Sequence, residues 1–407
     1  VKKRAKKGEP IRAILWLIVA VILDLQWVFV RIAGLKLDSP WDAILPGLGI
    51  FGAAFLLSWG AELAQLEISQ ALALAFLALV AVLPEYAVDI YFSWTAGKDP
   101  AYIHFALANM TGSNRLLIGL GWPAVIFAYW WKTRRSHLIL ERSHGIEISA
   151  LLLATIYSFI LPLKGALSAL DSVFFIGIFV LYIIRASRAH VIEPELAGPS
   201  ELIASIRVPL RRLATILLFA VSGLTIYIAA KPFAEGLLSS GRRFGIEEFI
   251  LVQWLAPLAS ESPEFIVAVI FALRVLPGAS FGTLVSSKVN QWTLLVGMLP
   301  LAFSLSLGNL GSMGLDPRQT EEVFLTSAQS LFAVAVISNF RFSILEALVL
   351  FILFSTQLFF PSSEIRYIYA VTYFILACGI IVFSPGRRGG LNSLIRGVIG
   401  FLARKQG

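Results

Sequence analysis

Cysteine is nearly missing from this chain: Cys378 stands alone in 407 residues. A lone cysteine excludes a disulfide framework and a thiolate metal cluster. Histidine is also scarce, and the four present (His104, His137, His144 and His190) are scattered, which argues against haem or zinc chemistry. Charged residues make up only 14% of the chain, too few for a soluble protein of this size with amphipathic helices. No G-x-x-x-x-G-K-[ST] loop occurs, so nucleotide-driven work is excluded and any transport must run on gradients. The net charge of +8 has no soluble basic domain behind it, so it does not point to nucleic acid.

What the chain does have is apolar length. Hydrophobic residues make up 58% of it, and several runs reach the ~20 residues needed to cross a bilayer. The runs predict helices near 12–33, 44–66, 70–94, 103–131, 146–162, 168–186, 213–238, 247–273, 282–307, 322–340, 343–360 and 366–384. The expected fold class is therefore an all-α, polytopic membrane protein of about twelve spans, with the lipid bilayer as a partner. The N-terminal Lys2, Lys3, Arg4, Lys6 and Lys7 precede an apolar run without a small-residue cleavage site, which reads as a retained helix. Lys and Arg crowd one set of connecting segments, among them Arg134, Arg135, Arg142, Arg185, Arg341, Arg387 and Arg388. By the positive-inside rule both termini are expected in the cytoplasm. With no organelle-targeting segment, the expected location is a plasma membrane of prokaryotic type.

One unusual pattern occurs twice. Pro84-Glu85 is followed by Asn109 and by Gly112-Ser113-Asn114; Pro263-Glu264 is followed by Gly282-Thr283 and by Ser286-Ser287-Lys288. Each Pro-Glu pair lies in mid-run, where a carboxylate costs several kcal/mol unless paired and a proline breaks the helical ladder. Aligning the copies predicts two five-helix repeats, 44–186 and 213–360, joined by a charged cytoplasmic linker at 187–212. Segment 1–43 adds a basic tail and one helix, and 361–407 adds another helix and a second basic tail. An odd number of helices per repeat inverts the second copy in the membrane, the arrangement used for alternating access.

These residues resemble the cation/calcium antiporter superfamily, the sodium/calcium exchanger type, whose repeat reads approximately G-T-S-x-P-E and then G-N-x-x-G-S-N. The first copy keeps Pro84, Glu85, Asn109, Gly112, Ser113 and Asn114; the second keeps Ser260, Pro263, Glu264, Gly282 and Ser287. The resemblance covers about 44–360. The chain departs from the pattern at Ala81-Val82, where hydroxyls are expected, at Glu261, and at Lys288, which replaces the second motif asparagine. Leu117 and Gln291 stand where the family often has Asn or Asp. The resemblance implies secondary antiport of Ca²⁺ against Na⁺ or H⁺, with the cation as cargo and no cofactor.

Calcium takes six to eight oxygen ligands, with carboxylates supplying charge. Glu85 and Glu264 are the expected charged ligands. Asn109, Ser113, Ser260, Thr283, Ser287 and Gln291 are the expected neutral ones, and prolines 84 and 263 free the carbonyls of Val80 and Ala259. Asp89 shares a helix face with Glu85, and Glu261 shares one with Glu264; both serve as further ligands or as partners of the first two. Lys288 and Arg115 are the candidate coupling cations. Lys288 is expected to pair with Glu261 or Glu264 and to take the place of a monovalent-ion subsite. Packing is the alternative role for Ser113 and Ser287, and salt bridging for Lys288 and Arg115. Asp24 is expected near an interface or paired. Two other functions remain open from sequence: a proton-coupled or monovalent cation exchanger, and a membrane-embedded carboxylate enzyme.

Overall fold

A computed structural model describes residues 9–67, 83–187, 196, 198–360 and 362–403. The chain forms helices α1 (Glu9–Ile32), α2 (Trp41–Ala64), α3 (Leu83–Ala96), α4 (Ile103–Leu116), α5 (Trp122–Thr133), α6 (Gly145–Ser158), α7 (Ile160–Lys164) and α8 (Ala169–Ala186). They are followed by α9 (Pro199–Ala204), α10 (Val208–Phe244), α11 (Glu248–Leu273), α12 (Pro277–Asn290), α13 (Val296–Leu307), α14 (Pro317–Ile337), α15 (Ile344–Gln357), α16 (Ser363–Phe383) and α17 (Pro385–Ala403). Nine described helical segments are long and apolar enough to span a membrane. Part of the span expected at 70–94 falls on 68–82, outside the described residues.

The structure lengthens and subdivides the expected spans. Helix α10 is longer than one membrane crossing needs; its 37 residues correspond to about 55 Å at 1.5 Å per residue. The span expected at 146–162 breaks near Phe159 into α6 and α7. Two further helices lie where connecting and tail segments were expected, the six-residue α9 in the linker and the 19-residue α17 in the C-terminal tail.

By contacts the chain divides into two compact units, 1–91 with 187–267, and 92–186 with 268–407. The first unit is organised by α2, which packs against α10 and α1. Leu56, Trp59 and Leu63 of α2 pack with Ala20 of α1 and Leu218 of α10. Glycine permits the closeness. A Cβ on Gly52 would lie 2.6 Å from the backbone nitrogen of Asp24, and one on Gly236 would lie 2.4 Å from the carbonyl oxygen of Asp42. Small residues at such crossings let membrane helices gain dispersion energy that lipid cannot supply. Buried Asp24 accepts a hydrogen bond from Thr225 Oγ1 at 3.0 Å, so the expectation of a paired Asp24 holds. At the end of α2, Glu67 binds Arg211 and, at 2.7 Å, Arg212. The hydrogen bonds from Arg212 and Arg211 hold its carboxyl below the usual glutamate range. That tie is present at neutral pH and is lost as pH falls through the lowered value.

The second unit displays the repeat directly. Strand β1 (His137–Ile139) pairs antiparallel with β4 (Arg341–Ser343), and β2 (Ala166–Ser168) pairs with β3 (Ser312–Gly314). Each ribbon takes one strand from each half of the chain. Helix packing exchanges in the same way: α5 packs on α15 and α8 on α13, while α4 packs on α14 and α6 on α12. Matching π-helical turns, Leu117–Gly121 and Gln291–Leu295, interrupt the helix that follows each motif. Helix starts match too. Ser343 and Glu346 form a capping box at α15, and Asp171 accepts from the Ser168 backbone N–H at 2.6 Å at α8. Such caps satisfy amides that lipid would leave bare.

The glycine contact yields a test. Gly236→Ala should destabilise the first unit by about 1–3 kcal/mol, because the added methyl meets backbone. Gly223→Ala, on the same helix with open space at its Cβ, should be neutral or slightly stabilising. Apparent melting temperatures of the two variants in detergent check this; equal temperatures would contradict the packing argument.

Candidate functional site

The expected site residues fall into two groups. Glu85, Asp89, Ser260, Glu261 and Glu264 belong to the first unit, and Asn109, Ser113, Arg115, Thr283, Ser287, Lys288 and Gln291 belong to the second. In the first group Glu85, Asp89 and Glu261 are buried, and Glu264 is half-buried. Glu85 and Asp89 both lie on α3. Pro263 lies inside α11, together with Pro257. Ser260 Oγ, one turn before Pro263, donates back to the Ala256 carbonyl at 3.2 Å. Among the described residues no three His, Cys, Asp or Glu side chains gather as a metal cage. Val80, whose carbonyl Pro84 was expected to free, lies outside the described residues.

In the second group the hydroxyls behave like Ser260. Ser113 Oγ donates to the Asn109 carbonyl at 2.9 Å, and Thr283 Oγ1 to the Ala279 carbonyl at 2.8 Å. A hydroxyl whose proton is committed to its own helix offers only lone pairs outward, which suits a cation. Ser113, Ser287 and Asn109 are buried, and Thr283 is half-buried. Gln291, at the start of the second π turn, is fully buried, and neither side-chain amide atom has a hydrogen-bond partner among the described residues. A buried amide in that state is costly unless something else satisfies it.

Lys288 lies on α12 with Thr283 and Ser287 and is fully buried. Its Nζ donates to Asn114 Oδ1 at 2.5 Å and to the Asn114 carbonyl at 3.3 Å. It also lies 4.4 Å from the centroid of the Trp292 ring, a cation–π contact. Asn114 is fixed in turn, its amide donating to the Met110 carbonyl at 2.8 Å. The third motif position of one repeat thus binds the third motif position of the other. The expected partners of Lys288, Glu261 and Glu264, belong to the first unit, and it is this asparagine contact that sequence reasoning missed. The signal was available: the two residues hold equivalent positions in an inverted repeat.

Arg115 is engaged elsewhere. Its guanidinium forms an ion pair with Glu322 at 2.6 Å. Glu322 also pairs with Arg366 at 3.2 Å, and Arg366 binds Glu321, which accepts from Ser363 Oγ. Gln329 Nε2 donates to the Arg115 carbonyl at 3.4 Å. Of the two roles weighed for Arg115, this geometry favours the salt bridge. The network ties α4 to α14 and α16, so the added C-terminal helix is clamped by charge to the repeat. The adjacent acids Glu321 and Glu322 went unnoticed in sequence, because they sit at the polar start of an otherwise apolar run.

Comparison with known proteins agrees with this geometry. The sodium/calcium exchanger protein family matches residues 43–187 and 214–362. A solved H⁺/Ca²⁺ exchanger, CAX, is 43% identical and superposes with a TM-score of 0.91, covering 96% of this chain and 98% of that one. YfkE is 15% identical over 89% of this chain and 100% of its own, with a TM-score of 0.61. The sodium-calcium exchanger NCX_Mj is 16% identical over 84% of this chain and 98% of its own, with a TM-score of 0.52. The last two likenesses concern the fold alone. No curated protein shows a significant sequence match. Fold and relatives together define a polytopic cation/calcium antiporter of the inverted-repeat class. The chain belongs to the sodium/calcium exchanger protein family.

The charge network predicts strong coupling. Glu322→Gln removes the carboxylate from Arg115 and should cost about 3–5 kcal/mol, the scale for breaking a buried pair. Adding Arg115→Gln should recover part of that loss, with a coupling of about 1–3 kcal/mol. A double-mutant cycle on the detergent-solubilised protein measures it; additive losses would show that the pair is not a unit.

Proposed function

We propose that this protein exchanges Ca²⁺ against H⁺ by alternating access across the plasma membrane, with both termini in the cytoplasm. The observation that carries this reading is the buried Lys288 ammonium, held by Asn114 and Trp292 at a motif position. A resident cation there takes the place that a transported monovalent ion would need. The 43%-identical relative described as an H⁺/Ca²⁺ exchanger supports the same coupling. Two matched segments, 43–187 and 214–362, support the repeat boundaries read at 44–186 and 213–360.

In this mechanism Glu85 and Glu264 supply the charge for Ca²⁺. Asn109, Ser113, Ser260, Thr283, Ser287 and Gln291 supply neutral oxygens, and Asp89 and Glu261 support the two motif acids. Calcium accepts such a mixed set, because it tolerates irregular oxygen coordination. Two carboxylates balance either one Ca²⁺ or two protons, so the same pair serves both directions of exchange with no change in the net charge held in hydrocarbon. The committed hydroxyl protons of Ser113, Ser260 and Thr283 fit this role, since only their lone pairs remain available. Helices α2 and α10 and most of α3 and α11 share one unit, while the later helices of both repeats share the other. That division supports transport by relative motion of the two.

Uptake of ⁴⁵Ca²⁺ into proteoliposomes, driven by an outward H⁺ or an outward Na⁺ gradient, tests the reading. The expected result is uptake with the H⁺ gradient only, lost in Glu85→Gln and in Glu264→Gln. Lys288→Asn should change which gradient drives uptake while the protein stays monodisperse. Na⁺-driven uptake by the unmodified protein would overturn the H⁺ assignment, and absence of Ca²⁺ flux in folded protein would overturn the calcium assignment.

A further inference from the structure

A second polar feature lies in the second unit, apart from the motif residues. An open pocket of about 710 Å³ is lined by Arg142, Arg185 and Arg341, with neutral polar groups from Ser149, Asn339 and Ser393. Among the described residues no carboxylate lines it. Arg142 and Arg341 form no ion pair among the described residues. The neighbouring Arg387 is already bound to Glu346. The guanidiniums of Arg142 and Arg341 repel each other across one pocket, so the arrangement is relieved by an anion. Arginine's planar fork suits phosphate in particular.

The wall formed by α17 is bare backbone at two points. A Cβ on Gly386 or on Gly389 would meet nothing within 4 Å, whereas one on Gly390 would lie 2.1 Å from the Ser338 carbonyl oxygen. Gly390 therefore lets α17 lie close to the end of α14, and Gly386 and Gly389 leave the pocket open.

The position of the pocket points to the source of the anion. Arg142 opens the span Arg142–Lys164, Arg185 lies in the last turn of α8, and α16 ends at Phe383 just before Gly386. Val382 and Phe383 are 58% and 86% exposed, and Ile184 is 38% exposed. These apolar side chains mark a surface made for acyl chains, and the arginines begin where it stops. Basic pockets at that level, on the side richer in Lys and Arg, suit anionic headgroups. We propose that this pocket binds the phosphate of an acidic phospholipid headgroup, on the membrane face expected to be cytoplasmic.

Native mass spectrometry of the full chain, with short-chain phosphatidylglycerol or phosphatidylcholine added, tests this. The expected result is preferential retention of phosphatidylglycerol, weakened about tenfold or more in Arg142→Gln/Arg341→Gln. Arg134→Gln/Arg135→Gln removes the same charge outside the pocket and should retain the lipid as the parent does. An unchanged melting temperature in phosphatidylcholine micelles confirms that the variants fold. Equal retention of the two lipids, or equal weakening by both double variants, would overturn the proposal. Displacement of the lipid by millimolar inorganic phosphate would reassign the pocket to a soluble anion and overturn the lipid source.

Discussion

Every charge placed inside hydrocarbon must be held by a partner, and the second unit depends on how it holds two cations. Lys288 and Arg115 both sit on helices that follow a Pro-Glu motif, both are buried, and each is solved differently. Arg115 is compensated by full charges, through Glu322 and the Arg366–Glu321 pair. Lys288 is held by an amide oxygen, a carbonyl and an aromatic face. The first solution is rigid, since four charges must separate together for any one to leave. The second includes neutral groups among the contacts that position the ammonium.

The inverted repeat explains why these solutions lie where they do. Strands β1 and β4 pair, as do β2 and β3, so each end of the second unit is closed by one ribbon drawn from both halves of the chain. The paired π turns begin at Leu117 and Gln291, one turn after Ser113 and Ser287. A π turn widens the helix and leaves carbonyls imperfectly paired, which is tolerated in a membrane only where protein or a polar site meets them. Duplication thus delivers two copies of a weakened helix segment, and only one of them carries a buried amide. Divergence at Leu117 and Gln291 gives the copies different chemistry on the same backbone.

Much of this was legible in the primary structure because membrane helices announce themselves by length. The span expected at 168–186 and the helix Ala169–Ala186 differ by one residue, and 366–384 lies within three of Ser363–Phe383. Helix α17 was not legible, because its glycines and arginines make a segment too polar to span and too glycine-rich to favour a helix. Its fold depends on contact with Ser338 and on the Arg387–Glu346 pair. The Asn114–Lys288 contact was half legible. Equivalent positions were identified, but periodicity along a helix does not say which positions of an inverted pair meet. The Arg115 network was hidden for a similar reason, since Glu322 and Arg366 are distant in sequence and become neighbours only when α14 and α16 pack.

The substitution at residue 288 has a consequence for the ledger of charge on the proposed reading. An asparagine at both third positions would bring two neutral amides together. Lysine in one of them adds a positive charge that travels with the protein and never with the load. A carrier must keep its buried groups near neutrality in each state, because a net charge at bilayer depth costs several kcal/mol. On that reading Lys288 is constant in both states, and the exchange itself trades one Ca²⁺ for two protons on the same two acids. Protons can then serve as the counter-load, since they neutralise carboxylates singly and need no coordination shell. Sodium needs such a shell, and the third motif position, where a neutral amide would have contributed to one, is filled by the ammonium and its asparagine.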